Sequence, residues 1–157
     1  MFLMTNTRMV LFTGLAFILC LSGNVLAGET TKYTGTLYAN PTKSLLPLGN
    51  GNGVMLVEAS GIAALSGNPP AIFAVNCAGM GIVDSESNAT TDFYCNMKES
   101  EEDSFDIKGS IREKKGEFDV IGGSGKWSGA TGKGRFDQAI VTDEGSKNIL
   151  ELEITTK

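Results

Sequence analysis

The chain contains no histidine, and this absence removes several kinds of chemistry. Serine and cysteine nucleophiles are commonly activated by an imidazole, so Ser–His and Cys–His arrangements are excluded. A zinc site would need cysteine and carboxylate ligands alone, and the chain has only three cysteines. We therefore expect no metal and no cofactor. Any catalysis would depend on carboxylates, lysines, tyrosines or amides.

A hydrophobic run long enough to span a membrane comfortably is also lacking. The apolar run at 10–21 has the length of a signal-peptide core, with Arg8 before it. Val25 and Ala27 stand at positions −3 and −1 of a cleavage site. We predict a signal peptide at 1–27, export to the periplasm or the outside, and a mature chain without stable membrane insertion. An uncleaved anchor and lipidation at Cys20 are the alternatives.

Cysteine is scarce in the predicted mature chain, which spans 28–157 as a single domain and keeps only Cys77 and Cys95. An even cysteine count in an exported protein predicts a disulfide. The disulfide would close a loop of about 18 residues, which corresponds to about 3 kcal/mol of stabilisation in the chain-entropy model.

Basic charge is in the minority, because the formal net charge is −5. An acidic domain is a poor partner for nucleic acid or anionic lipid. The acidic run at 99–106 does not have the spacing of a calcium loop and is read as a solvated loop.

Period-two alternation of apolar and polar residues dominates the remaining sequence, and no long helical pattern occurs. Short strands of this kind, separated by turn signals, predict an all-β antiparallel barrel or sandwich. The segments 53–65 and 71–79 are apolar on both faces and are read as more central strands. The eight predicted strands are 32–39, 53–65, 71–79, 91–98, 104–113, 116–121, 132–141 and 148–157.

The alternation also predicts which side chains face the interior. Segment 40–53 is read as a turn because of its proline, asparagine and glycine residues. The predicted inward set is Leu37, Phe105, Ile107, Phe118, Val120, Phe136, Ile140, Leu150 and Leu152.

The stretch GGSGKWSGATGKGRF at 122–136 raises the question of a phosphate loop. A Walker motif that used Lys126 as its lysine would need glycine at position 120, which is Val120, and serine or threonine at position 127, which is Trp127. A strand rather than a helix follows, so no helix N-terminus is available for an anion. A structural corner is the better interpretation, with Trp127 filling the end of a barrel and its indole N–H bonded.

This stretch resembles the G-G-[ST]-G-x-[aromatic]-x-G-A-x-G segment of the allene oxide cyclase and dirigent barrel superfamily. The resemblance implies an eight-stranded antiparallel barrel with an apolar lumen, which is the barrel interior, and often a homo-oligomer. It is nearest to small exported bacterial members. The family's catalytic residues have no match here, so none is carried over. The matching residues are Gly122, Gly123, Ser124, Gly125, Trp127, Gly129, Ala130 and Gly132.

Three polar residues interrupt apolar strands and are weak candidates for a ligand site: Glu58, Asn76 and Gln138. A lumenal Glu58 would have a raised pKa from desolvation and would suit a proton transfer. The alternative is that Glu58 faces outward while Met55, Val57 and Ala59 fill the core.

Three functions stay open at this point. The first is a non-enzymatic exported barrel that binds a small apolar ligand or a partner protein. The second is a cyclase or isomerase that uses Glu58. The third is a structural or surface protein with a filled barrel and an apolar outer face.

Overall fold

The computed structural model describes residues 28–142 and 144–157. The predicted signal peptide, its cleavage after Ala27 and the lipidation alternative at Cys20 lie outside these residues. No helix in the described part is long and apolar enough to cross a membrane.

The described chain forms one closed antiparallel barrel in which neighbours in sequence are neighbours in space, and the last strand pairs with the first. This confirms the all-β, eight-stranded prediction. Single-turn 3-10 helices lie at Gly49–Gly51 and Gly125–Trp127. The strands are β1 Glu29–Pro47, β2 Gly53–Ser66, β3 Ala71–Val83, β4 Ala89–Lys98, β5 Ser104–Arg112, β6 Lys115–Ser124, β7 Thr131–Val141 and β8 Ser146–Thr156.

The first strand is longer than predicted, and the reading of its second half as a turn is wrong. β1 pairs with β8 only as far as Ala39, but it continues beside β2 to Pro47. The segment 40–47 therefore has one unpaired edge. Proline lacks an N–H and is tolerated where a strand edge needs no donor, so Pro41 does not end the strand.

The prediction that β2 and β3 are central strands is also wrong, because a closed ring has no central or edge position. Their second apolar face is instead the outside of the barrel. Leu56 and Ile62 on β2, and Met80 and Ile82 on β3, are all exposed.

The core is the set of inward side chains along all eight strands, and it is rich in aromatic residues. The predicted inward set is buried or packed against this core, with one exception. Ile140 is 55% exposed, because the pairing of β7 with β8 shifts between Gln138 and Ile140. A bulge adds one residue to a strand and reverses the side-chain alternation beyond it.

Candidate functional site

One end of the barrel is closed by the corner between β6 and β7. Trp127 lies in this corner and is 4% exposed. Its ring centroid lies 5.3 Å from that of Phe105 and 6.0 Å from that of Phe73. Gly125 and Gly129 adopt φ values of 56° and 69°, which glycine takes without strain. The glycine-rich stretch thus turns the chain and inserts an aromatic plug.

The acidic loop between β4 and β5 is exposed at residues 100–102, and its Glu99 and Asp103 hold this plug in place. Trp127 Nε1 donates to Glu99 Oε2 at 3.1 Å, and Lys126 Nζ donates to Glu99 Oε1 at 2.8 Å. The backbone N–H of Lys126 donates to Asp103 Oδ1 at 2.9 Å. That bond is the main reason why the pKa of Asp103 lies below its ordinary value. Nearby, burial raises the pKa of Tyr33.

The opposite end, where the turns β1–β2, β3–β4, β5–β6 and β7–β8 lie, leads into a cavity of ≈ 220 Å³. This space exists because several side chains in the half of the lumen near the open end are small, among them Ala39, Ala59 and Ala89. Phe93 and Phe136 contribute to the wall of the cavity farther from the open end. The cavity is therefore a mostly apolar cup with its floor toward the aromatic plug.

The rim of the cup carries its charged groups. Lys43 and Glu113 line the mouth and are exposed. In the β3–β4 turn, Asp84 Oδ1 accepts bonds from the backbone N–H groups of Asn88 at 2.8 Å and Glu86 at 3.0 Å. The Asn88 bond is the main cause of a lowered pKa of Asp84, and these bonds fix the turn beside the mouth.

A disulfide joins Cys77 on β3 to Cys95 on β4, as predicted. The two residues are directly paired across the strands, and both line the cavity. The disulfide is therefore part of the wall of the cup as well as a link within one hairpin.

The sequence candidates separate into two groups. Glu58 and Asn76 are exposed on the outer face, so neither contacts the lumen. The inward positions beside Glu58 are Val57 and Ala59, which line the cavity. The condition for a desolvated catalytic carboxylate at Glu58 is therefore not met. Gln138 is half-buried and lines the cavity, so it is the single candidate of the three that reaches the lumen.

Two buried polar residues in the lumen were missed from the sequence, namely Thr91 on β4 and Asn148 on β8. The alternation in the sequence carried a signal for both residues. Thr91 is in phase with Phe93, and Asn148 is in phase with Leu150, so period two places both inward. In a ring of eight strands, β4 and β8 lie on opposite walls.

A larger concavity of ≈ 1120 Å³ lies on the outside of the barrel. It is a shallow open surface on the outer face of β4–β8 and β1. Its charges alternate in sign and neutralise one another, as in the pairs Arg135–Glu151 at 2.8 Å and Lys32–Glu153 at 3.3 Å. Such a surface focuses no field of one sign, so the cup is the better candidate for a ligand site. In 28–142 and 144–157, no cluster of cysteine and carboxylate side chains could hold a metal ion.

Comparison with known proteins identifies the fold. No protein-family model and no curated protein sequence matches the chain. Among solved structures, the pterocarpan synthase dirigent protein GePTS1 matches with a TM-score of 0.53 at 12% identity, over 90% of this chain and 99% of its own. The pterocarpan synthase dirigent protein PsPTS1 matches with a TM-score of 0.52 at 12% identity, over 83% of this chain and 97% of its own. The chain therefore has the dirigent-like β-barrel fold, which is the fold implied by the resemblance of residues 122–132 to a segment of that superfamily.

Proposed function

We propose that this protein is an exported, non-enzymatic binding protein that holds a small apolar ligand inside its barrel. The observation that carries the proposal is the cup of ≈ 220 Å³, floored toward Trp127 and open at the other end. An apolar cavity of about 150 Å³ binds benzene. Sites for drug-sized ligands start at about 300 Å³. The cup thus fits a molecule of one or two rings or a short chain.

Export is the second part of the proposal. Its support is the leader-like sequence at 1–27 together with the disulfide Cys77–Cys95, because disulfides persist in oxidising compartments. The cyclase or isomerase alternative is weaker, since Glu58 lies on the outer face. A Glu58→Gln variant therefore serves as a control that leaves ligand binding unchanged.

The test combines native mass spectrometry of protein from its own compartment with calorimetric titration of toluene. Ala59→Leu adds three carbons inside the cup, and Ala74→Leu adds the same group on the exposed outer face. We expect wild type and Ala74→Leu to retain the same bound molecule and to bind toluene, and Ala59→Leu to lose both. Bare-chain masses together with no toluene binding at millimolar concentration would contradict the proposal.

An apolar patch on the outer face supports a second candidate function, an interaction protein or homo-oligomer. Leu46 pairs with Val54, which pairs with Ile82, and in the adjacent row Leu56 pairs with Met80. Contiguous exposed apolar side chains mark interaction sites on soluble proteins. We expect self-association that Met80→Lys abolishes. A monomer at high concentration by light scattering would argue against self-association.

A further inference from the structure

One side chain in the lumen has an unmet hydrogen-bonding group. Asn148 is 3% exposed and lines the cup. Its Nδ2 donates to the Leu37 carbonyl at 3.3 Å and to Ser146 Oγ at 3.2 Å. Its Oδ1 is buried and has no hydrogen-bond partner among the described residues. Most buried polar groups in native proteins have a partner, so an unpaired acceptor needs a reason.

The orientation of this amide is fixed by its surroundings. Exchanging the amide O and N would place an oxygen acceptor against the Leu37 carbonyl, which is also an acceptor. The Nδ2 group therefore stays on the wall, and Oδ1 stays without a donor from residues 28–142 and 144–157. A fully apolar residue at this position would avoid that unmet acceptor.

The neighbour of Asn148 across the β7–β8 ladder is Gln138, which also lines the cup. The side chain of Gln138 is half-buried and makes no hydrogen bond within the described residues. Because Oδ1 is covered, a donor on a ligand would reach it only after neighbouring side chains rotate. Gln138 is directly opposite Asn148 on β7 and lines the same cavity.

We propose that Asn148 Oδ1 accepts a hydrogen bond from an O–H or N–H group of the ligand. This inference rests on the proposed function and narrows it to a class of ligand, namely small neutral apolar molecules that carry a donor. The ligand is neutral because the charged groups of the cup, Lys43 and Glu113, lie exposed at its mouth. A charge deeper in the cup would lose its hydration without a partner.

The test compares two probes of nearly the same shape. Indole has a ring N–H, and benzofuran has an oxygen acceptor in its place. We expect wild type to bind indole about tenfold more tightly by calorimetry, which corresponds to about 1.4 kcal/mol and is typical of one buried hydrogen bond. Asn148→Leu removes the acceptor at similar volume and should bind both probes equally. Thr91→Val on the opposite wall is the matched control and should keep the tenfold preference.

The outcomes separate the inference from the proposed function. Equal binding of both probes to wild type, or a preference that persists in Asn148→Leu, overturns the inference and leaves lumenal binding intact. Binding of neither probe, nor of toluene, overturns the proposed function and the inference with it. If Asn148→Leu does not fold, NMR of wild type decides the question. The side-chain amide resonances of Asn148 should shift with indole far more than with benzofuran, and equal shifts overturn the inference.

Discussion

Replacing Trp127 by alanine should destabilise the barrel strongly, because the side chain closes one end of it. The indole is almost completely buried against Phe73 and Phe105, and its N–H bonds Glu99. Truncating a buried tryptophan or phenylalanine to alanine typically costs 3–5 kcal/mol, about 4 kcal/mol in the middle of that range. For a domain of this size we expect the melting temperature to fall by about 12–20 °C.

The assay is urea unfolding followed by far-UV circular dichroism. Fluorescence is unsuitable, because Trp127 is the single tryptophan of the chain. The slope of the unfolding free energy against urea should stay unchanged if the variant keeps the same fold. A loss of less than about 1 kcal/mol would refute the reasoning that Trp127 is an integral part of the core.

Trp127→Phe separates packing from hydrogen bonding at the same position. The phenyl ring keeps most of the aromatic contact but cannot donate to Glu99. Hydrogen bonds to charged groups contribute about 1.5–3 kcal/mol, so the loss should be smaller than for alanine. Combining Trp127→Phe with Glu99→Ala should cost less than the sum of the two single changes, because both remove the same bond. Strict additivity would contradict the bond.

Three further changes test other parts of the fold. Replacing Cys77 and Cys95 by serine removes a link between residues 18 apart and should cost about 3 kcal/mol in urea unfolding; no loss would contradict a disulfide. Gly134→Ala places a Cβ against the ring of Phe118 and should cost about 1–3 kcal/mol, measured in the same way. Asp103→Asn should lower the melting temperature near neutral pH. The pKa of Asp103 lies below its ordinary 3.8 in the folded state, so the stabilisation by its carboxylate is lost as the pH falls from 3.8 through the folded-state pKa. The difference in melting temperature between wild type and Asp103→Asn should therefore disappear in that range. A difference that stays constant would contradict the ionised contact.

Much of the fold was predictable because a half-buried strand shows its environment in its alternation. β5, β6 and β8 alternate clearly, and their predicted inward residues are buried. Ile140 was predicted wrongly, because a bulge reverses the alternation and leaves no mark in a pattern of apolar residues. The extension of β1 to Pro47 was missed because the proline, asparagine and glycine residues of 40–53 look like a turn. These prolines are tolerated because β8 stops pairing with β1 at Ala39, and only the assembled barrel shows this free edge.

The candidate site was less predictable. Glu58 and Asn76 lie in strands that are apolar on both faces, so the sequence does not show which face is the lumen. Gln138 interrupts an apolar strand in the sequence, and the structure places it in the lining of the cup. Asn148 is in phase with the inward leucines of β8, but it is the first residue of the predicted strand 148–157, where a polar residue looks like part of a turn.

The sequence by itself determined the number of strands, the inward faces of β5, β6 and β8 and the aromatic corner at Trp127, because these depend on local alternation and on residues close in the chain. It also predicted the pairing of Cys77 with Cys95, since the predicted mature chain keeps only these two cysteines and two cysteines have one pairing. Tertiary structure decided that one end is closed and the other open, because that depends on which side chains meet across all eight strands. It also decided that Asn148 Oδ1 has no hydrogen-bond partner in the described part of the chain, because the lack of a hydrogen bond is a property of three-dimensional surroundings.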